Sequence, residues 1–207
     1  MHASNGIFWK HVSVRFSEYF NENILEFGSY NINGTIRDYF NSHKIYIGID
    51  WRSGPCVDVV GLAHEVNFDF KAKAILSASM LEHDPYWKES LDNMINYLSS
   101  DGIFVLTWGA AKNIEHCFVE APDGRFHGLK AEKVINYLKN KNMFIHTSIY
   151  DNDLHHIISD QCDLNTLSKE RLILDGKGEF NLIAFNSKSA HDFKDGFISI
   201  LYDEDKI

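Results

Sequence analysis

Ile24-Leu25-Glu26-Phe27-Gly28-Ser29-Tyr30-Asn31-Ile32-Asn33-Gly34-Thr35, followed by Lys44-Ile45-Tyr46-Ile47-Gly48-Ile49-Asp50, decides how this chain folds. It reads as an apolar strand, a turn of small residues, a short helix and a second strand that ends in a carboxylate. The helix is predicted over Asn33 to Asn41, where Ile36 and Phe40 lie four apart and so share a face. This order is one half of a nucleotide-binding α/β unit. Its turn lets a ligand approach the backbone, and an acid closing the next strand can accept hydrogen bonds from ribose hydroxyls. Asp50 lies 22 residues after Gly28, close to the spacing of about 20 expected for that acid. A strand-loop-helix-strand unit without a ligand is the alternative, with Gly28 only a turn residue and Asp50 a helix cap.

The same alternation continues downstream. Val57 to Leu62 is a β-branched run that predicts a third strand, and Ala74 to Ser77 a fourth. Pro85 opens a helix over Tyr86 to Leu98, with Leu91, Met94, Ile95 and Leu98 on its buried face. Asp101-Gly102 then turns into a fifth strand, Ile103 to Trp108. Ala131 to Lys139 predicts a helix, and Met143 to Ile149 and Asn181 to Phe185 predict two more strands. Strands alternating with helices imply a parallel sheet covered on both faces. A short amphipathic helix over Val12 to Phe20 leads into strand one, within an N-terminal lead-in of residues 1–22. No internal repeat or Pro/Gly/Ser-rich linker divides the chain, so residues 1–207 are expected to form one domain. Residues 109–130 form a candidate lid, and 151–177 a polar, irregular excursion.

Composition narrows the function. The 207 residues carry 20 Lys+Arg against 29 Asp+Glu, a formal net charge of −9. No dense basic run exists, so a nucleic-acid backbone is not the expected partner. Cys56, Cys117 and Cys162 are widely spaced and odd in number, which fits reduced thiols of a cytoplasmic protein. The N-terminus carries polar and charged residues throughout, with no signal-like apolar region. No apolar run approaches the ~18 residues that would span a membrane.

In open α/β sheets, ligands bind beyond the carboxyl ends of the strands. That rule selects Glu26 to Asn33, Asp50 to Arg52, Gly61 to His64, Ser77 to Asp84 and Thr107 to Ala111. The residues in these places carry a resemblance. Glu26-x-Gly28-Ser29, Asn33-Gly34-Thr35, Tyr46-x-Gly48-Ile49-Asp50, Gly54-Pro55, Val57-Asp58-Val59-Val60-Gly61, Ala63-His64 and Glu82-His83-Asp84-Pro85 resemble the class I S-adenosylmethionine-dependent methyltransferase family, in its branch of small stand-alone domains. The match covers about Asn23 to Trp108. The resemblance implies a Rossmann-like, seven-stranded, mostly parallel sheet with an antiparallel last strand and helices on both faces.

It also implies roles. Gly28 and Ser29 would turn past the methionine part of S-adenosylmethionine, with Asn33 closing the same loop. Glu26 would anchor the loop or meet the cofactor amine. Asp50 would accept both ribose hydroxyls and Trp51 would lie against the adenine. Leu62, Ala63 and His64 would border the adenine edge, and Ser77 and Ala78 the methionine end. Glu82 would border the acceptor cleft. The chain departs from the family in two places. Its turn lacks the usual second and third glycines, and Leu62 stands where many members carry an acid facing the adenine amine.

Methyl transfer asks a protein chiefly for alignment, because the sulfonium is already an activated donor. A base helps when the acceptor must lose a proton. His83 is the candidate, because an unperturbed imidazole, with a pKa of about 6.5, suits proton transfer at neutral pH. Alternatively, Glu82-His83-Asp84-Pro85 merely starts the next helix, with Asp84 as its N-cap. His116, Arg125 and His127 fall in the Gly/Pro-containing stretch after strand five and are candidates for acceptor binding, Arg125 for an anionic one; a solvated loop explains them equally. No spacing supports a metal site. Ser77-Ala78-Ser79-Met80 occupies the place where base-amino methyltransferases carry Asn/Asp-Pro-Pro-Tyr/Phe, so the expected partner is a small-molecule acceptor. A methyltransferase-like binding or scaffold module without turnover is the alternative. The absence of G-x-G-x-x-G after strand one disfavours an NAD-linked enzyme.

Overall fold

A computed structural model describes residues 3–109, 129–150, 155–156 and 179–186. The elements run α1 (Ala3–Arg15), β1 (Asn23–Phe27), β2 (Ile45–Asp50), β3 (Val59–Val60), β4 (Ala72–Ala78), α2 (Trp87–Tyr97), β5 (Leu98–Gly109), α3 (Ala131–Asn140), β6 (Phe144–Tyr150), β7 (His155–His156) and β8 (Glu179–Phe185). The strands form one sheet in the order β3-β2-β1-β4-β5-β8-β6-β7. β1 pairs in parallel with both β2 and β4, and β4 in parallel with β5, whereas β8 runs antiparallel between β5 and β6. The expected arrangement of seven strands is present, with the two-residue β7 added at the edge beside β6.

Side-chain alternation sorts each strand onto two cores. Leu25 and Phe27, Ile75, Phe104 and Leu106, and Leu182 and Ala184 pack with α2 and α3. Ile24, Tyr46, Ala74 and Leu76, Ile103 and Val105, and Ile183 pack with α1. Helix α2 buries Leu91 and Met94, and α3 buries Val134, Ile135 and Leu138, the faces that the 3.6-residue period predicts. Each such side chain contributes about 1.5–3 kcal/mol on leaving water. Asn142 ends α3 in the left-handed conformation, at φ 59°. The next N–H, of Met143, returns to the Leu138 carbonyl at 3.1 Å, as a left-handed residue closing a helix allows.

Three expectations are corrected in detail. The helix over Asn33 to Asn41 is a single 3-10 turn, Arg37–Tyr39. Side chains there bond the backbone first. The Gly34 N–H donates to Asn31 Oδ1 at 2.9 Å, and the Arg37 N–H to Thr35 Oγ1 at 3.1 Å. Ile36 and Phe40 are nevertheless buried together in the α1 core. The lead-in helix ends at Arg15, with a separate 3-10 turn at Ser17–Tyr19. The third strand shrinks from Val57–Leu62 to Val59–Val60.

Candidate functional site

The carboxyl ends of β1, β2, β4 and β5, with the start of β8, form the rim on which the chemistry-bearing residues collect. The turn after β1 requires glycine. Gly28 has φ +80° and its N–H donates to the Ile49 carbonyl at 2.8 Å. A Cβ at this position would stand 2.6 Å from Met80 Cβ, so Met80 covers the open side of the glycine. Gly48, to which the resemblance assigned no role, is equally constrained. A Cβ there would lie 2.1 Å from the Cys56 carbonyl oxygen and 2.7 Å from Ser29 Oγ. Ser29 is thus wedged and buried beside β2.

Glu26 is 2% exposed. It accepts a hydrogen bond from the Tyr46 hydroxyl at 2.8 Å. Burial pushes its carboxyl up to about 7, against the lowering effects of the Tyr46 bond and the Arg37 charge. The neighbouring Tyr46 phenol is held well above its ordinary value, first by burial and then by Glu26. Arg37 ties the adjacent strand by donating to Asp58 Oδ2 and, at 2.9 Å, to the Tyr46 carbonyl. The same Asp58 oxygen accepts from the Gly48 N–H at 2.7 Å. Sequence reasoning missed this network, because its members lie on different strands and loops.

Asp50 closes β2 half-buried. Its Oδ2 accepts from the Tyr30 N–H at 3.3 Å and its Oδ1 from the Arg52 N–H at 3.2 Å. Burial raises its pKa, and those backbone donors oppose the rise. The Arg52 guanidinium lies 4.1 Å from the centre of the Tyr30 ring. It also lies 5.4 Å from the centre of the Trp51 ring, so both rings offer it a π face. The Tyr30 ring in turn fills the space beside Gly54, where a Cβ would come within 1.9 Å of it. Leu62 and Ala63 are half-buried beyond β3, and the Ala63 carbonyl accepts from Asn93 at 2.9 Å. The His64 ring lies 4.6 Å from that of Tyr86, with Nε2 3.7 Å from Glu65. Asn33 is exposed.

At the end of β4, Ser77 and Ala78 point to opposite faces: Ala78 packs toward the α1 core, whereas Ser77 is fully buried. Ser79 adopts φ 54°, a left-handed conformation uncommon for a non-glycine. Its N–H donates to the Thr107 carbonyl at 2.8 Å. Glu82, 2% exposed, accepts from the Gly109 N–H at 2.9 Å and so links the β4 turn to the end of β5. His83 ends the 3-10 turn Leu81–His83, half-buried. Asp84 is not the N-cap of α2, a place taken by Tyr86. Its Oδ1 accepts from the Tyr86 N–H at 2.8 Å, so it organises the helix start from just outside. Sheet register sets Gly28, Asp50 and Ala78 side by side at the strand ends, with Glu26 just before them on β1, and Ser29, Trp51, Glu82 and His83 lie in the segments that follow those ends. His116, Arg125 and His127 lie outside the described residues. Among the described residues no cluster of His, Cys, Asp and Glu could hold a metal ion, and no helix is long and apolar enough to cross a membrane.

Comparison with solved structures identifies the fold. No protein-family model matches the sequence, and no curated protein matches it. A S-adenosylmethionine-dependent methyltransferase from Clostridium acetobutylicum ATCC 824 superimposes with a TM-score of 0.61 at 9% identity, over 87% of this chain and 91% of that one. The plantazolicin methyltransferase BpumL, in complex with a pentazolic desmethylPZN analog and SAH, gives 0.58 at 10% identity, over 89% and 85%. A 1,6-didemethyltoxoflavin-N1-methyltransferase from Burkholderia thailandensis, with 1,6-didemethyltoxoflavin and S-adenosylhomocysteine bound, gives 0.52 at 13%, over 86% and 77%. The chain has the Rossmann-like fold of class I S-adenosylmethionine-dependent methyltransferases.

Proposed function

We propose that this chain is a methyltransferase that uses S-adenosylmethionine and modifies a small molecule: a sugar, a polar metabolite or a natural-product intermediate. The observation that carries this reading is the pairing, across the β1–β2 rim, of the positive-φ Gly28 with the carboxylate of Asp50. The residues fit the cofactor. Each Asp50 oxygen accepts one backbone N–H and keeps a lone pair for a ribose hydroxyl. Gly28 removes the side chain that would obstruct the turn, and Met80, unbranched and adaptable, walls its open side. The natural-product substrates of the fold neighbours support a small acceptor, and the net charge of −9 disfavours nucleic acid.

When bound, S-adenosylmethionine supplies a methyl group on a sulfonium, and transfer leaves S-adenosylhomocysteine and, from a protonated acceptor, a proton. The chain's own part is to hold and align. Glu26 anchors the β1 turn through Tyr46. Trp51, Leu62, Ala63 and His64 border the adenine, and Ser77 and Ala78 the methionine end. His83 takes the acceptor's proton on a ring nitrogen, and Glu82, His116, Arg125 and His127 border the acceptor. Calorimetry tests the reading: micromolar binding of S-adenosylhomocysteine supports it, and no heat at millimolar ligand removes it. A second reading, a methyltransferase-like module without turnover, is favoured by Met80 lying against Gly28 and by Leu62 in place of an acid. Cofactor binding with no methyl transfer across a broad acceptor panel would select it.

A further inference from the structure

Thr107 and Asn181 stand directly opposite each other on β5 and β8, at the carboxyl end of β5. Alternation puts both on the α1 face, continuing Val105 and Ile183. They end an otherwise apolar run of that face, and both are buried, at 0% and 3% exposure. Facing cross-strand side chains stand about 4.5–5.5 Å apart at Cβ. Yet Thr107 Oγ1 and Asn181 Oδ1 have no hydrogen-bond partner among the described residues, and they do not bond each other. Buried polar atoms left without partners are rare in native proteins and call for an explanation.

Their place along the rim supplies one. Register continues the row Asp50, Gly28, Ala78, Thr107, Asn181 across β2, β1, β4, β5 and β8. Adjacent strands lie about 4.8 Å apart, so Thr107 is one strand from Ala78 and about 10 Å from Gly28. A cofactor whose ribose meets Asp50 and whose methionine end passes Gly28 and Ala78 therefore presents its far side toward Thr107 and Asn181. Resting on that cofactor reading, we propose that Thr107 and Asn181 are acceptor-binding residues, and that they select a molecule presenting N–H or O–H groups. Asn181 Oδ1 accepts hydrogen bonds, Thr107 Oγ1 both accepts and donates, and the Glu82 carboxyl that accepts from the Gly109 N–H lies at the same end of β5. Ser77–Ala78, Thr107–Gly109 and Glu179–Asn181 include no Lys or Arg. Amines and alcohols can donate to both atoms, whereas a carboxylate or phosphate oxygen can accept from the Thr107 hydroxyl alone and leaves Asn181 Oδ1 unsatisfied. This differs from a role for Arg125 as an anion clamp.

Thr107→Val and Asn181→Leu, each in the full chain with S-adenosylhomocysteine present, test the inference. A set of amine and alcohol fragments and a matched set of carboxylate and phosphate fragments are screened by ligand-observed NMR. Amine and alcohol fragments bind the wild type, and their dissociation constants rise about tenfold in each variant, the loss of one hydrogen bond. S-adenosylhomocysteine affinity stays unchanged. Without any ligand, Thr107→Val raises Tm by roughly 2–4 °C, because an isosteric apolar group replaces an unsatisfied hydroxyl. Four outcomes overturn the inference while S-adenosylhomocysteine still binds: no fragment binding, equal affinities in wild type and variants, anionic fragments binding as well as donors, or a lowered Tm in Thr107→Val. Failure of the wild type to bind S-adenosylhomocysteine overturns instead the reading on which it rests.

Discussion

At the β1–β2 end of the rim, Glu26, Arg37, Asp50 and Asp58 each meet a partner fixed by the fold, with Ser29 Oγ buried without one among the described residues. At the β4–β5–β8 end, by contrast, Glu82 is held by the Gly109 N–H but Ser77, Thr107 and Asn181 bury polar atoms that meet none among the described residues. Both ends belong to one sheet and share its register, so geometry alone does not separate them. The difference lies in local bonding. Satisfied networks hold a site rigid before its ligand arrives, and unsatisfied groups are tolerated where function outweighs stability. Under the proposed function, the cofactor falls to the first end and the methyl acceptor to the second.

Replacing residues at each end tests how far this contrast holds. His83→Ala should lower the rate of methyl transfer about 10²–10⁴-fold, roughly 3–5 kcal/mol of barrier, while S-adenosylhomocysteine affinity stays unchanged. A rate near wild type, measured with an acceptor that the wild type methylates, would return His83 to the helix start. Glu26 gives the next largest effect. Its carboxyl releases a proton near 4.5 when unfolded and about 7 when folded. Between those values the folded state holds more protons, so stability is greatest below pH 4.5 and falls as pH rises through about 7. The two plateaus differ by ~3 kcal/mol. Glu26→Gln should abolish that slope and be the more stable protein at pH 8. Parallel Tm-against-pH curves for the two proteins would show that burial does not keep a protonated carboxyl there.

Asp50→Ala should weaken S-adenosylmethionine binding by roughly 1.5–3 kcal/mol, the range for hydrogen bonds to a charged group. Unaltered calorimetric affinity would remove Asp50 from the ribose and blur the distinction between the two ends. Ser77→Ala should do least. It deletes a buried hydroxyl on the α2 side of the sheet that has no partner among the described residues. Stability therefore stays within about 1 kcal/mol of wild type by urea unfolding. A loss of roughly twice that or more would mean that the hydroxyl is satisfied in solution.

Local pattern made much of this fold legible. β1 was readable because its strand pattern stops at Gly28, and α2 and α3 because their buried faces keep the helical period. The segment 33–41 misled because Ile36 and Phe40 keep helical spacing while Asn31 and Thr35 divert the backbone donors. The rim acids Glu26 and Asp50 were readable from their positions at strand ends. The Tyr46 partner of Glu26 and the Arg37–Asp58–Gly48 tie were not, because no local period encodes cross-strand bonds. Thr107 and Asn181 were hidden for the same reason, and only the pairing of β5 with β8 brings them face to face.

β1 lies between β2 and β4, so the chain leaves it in one direction and later leaves β4 in the other. The link from β1 to β2 crosses the α1 face, where Ile36 and Phe40 pack, and the link from β4 to β5 crosses the opposite face through α2. Right-handed crossovers demand that divergence. The two departing loops must part company above the sheet, and the notch between them is guaranteed by connectivity before any side chain is chosen. Such a notch follows from the order of the strands, so it asks little of the particular residues that surround it.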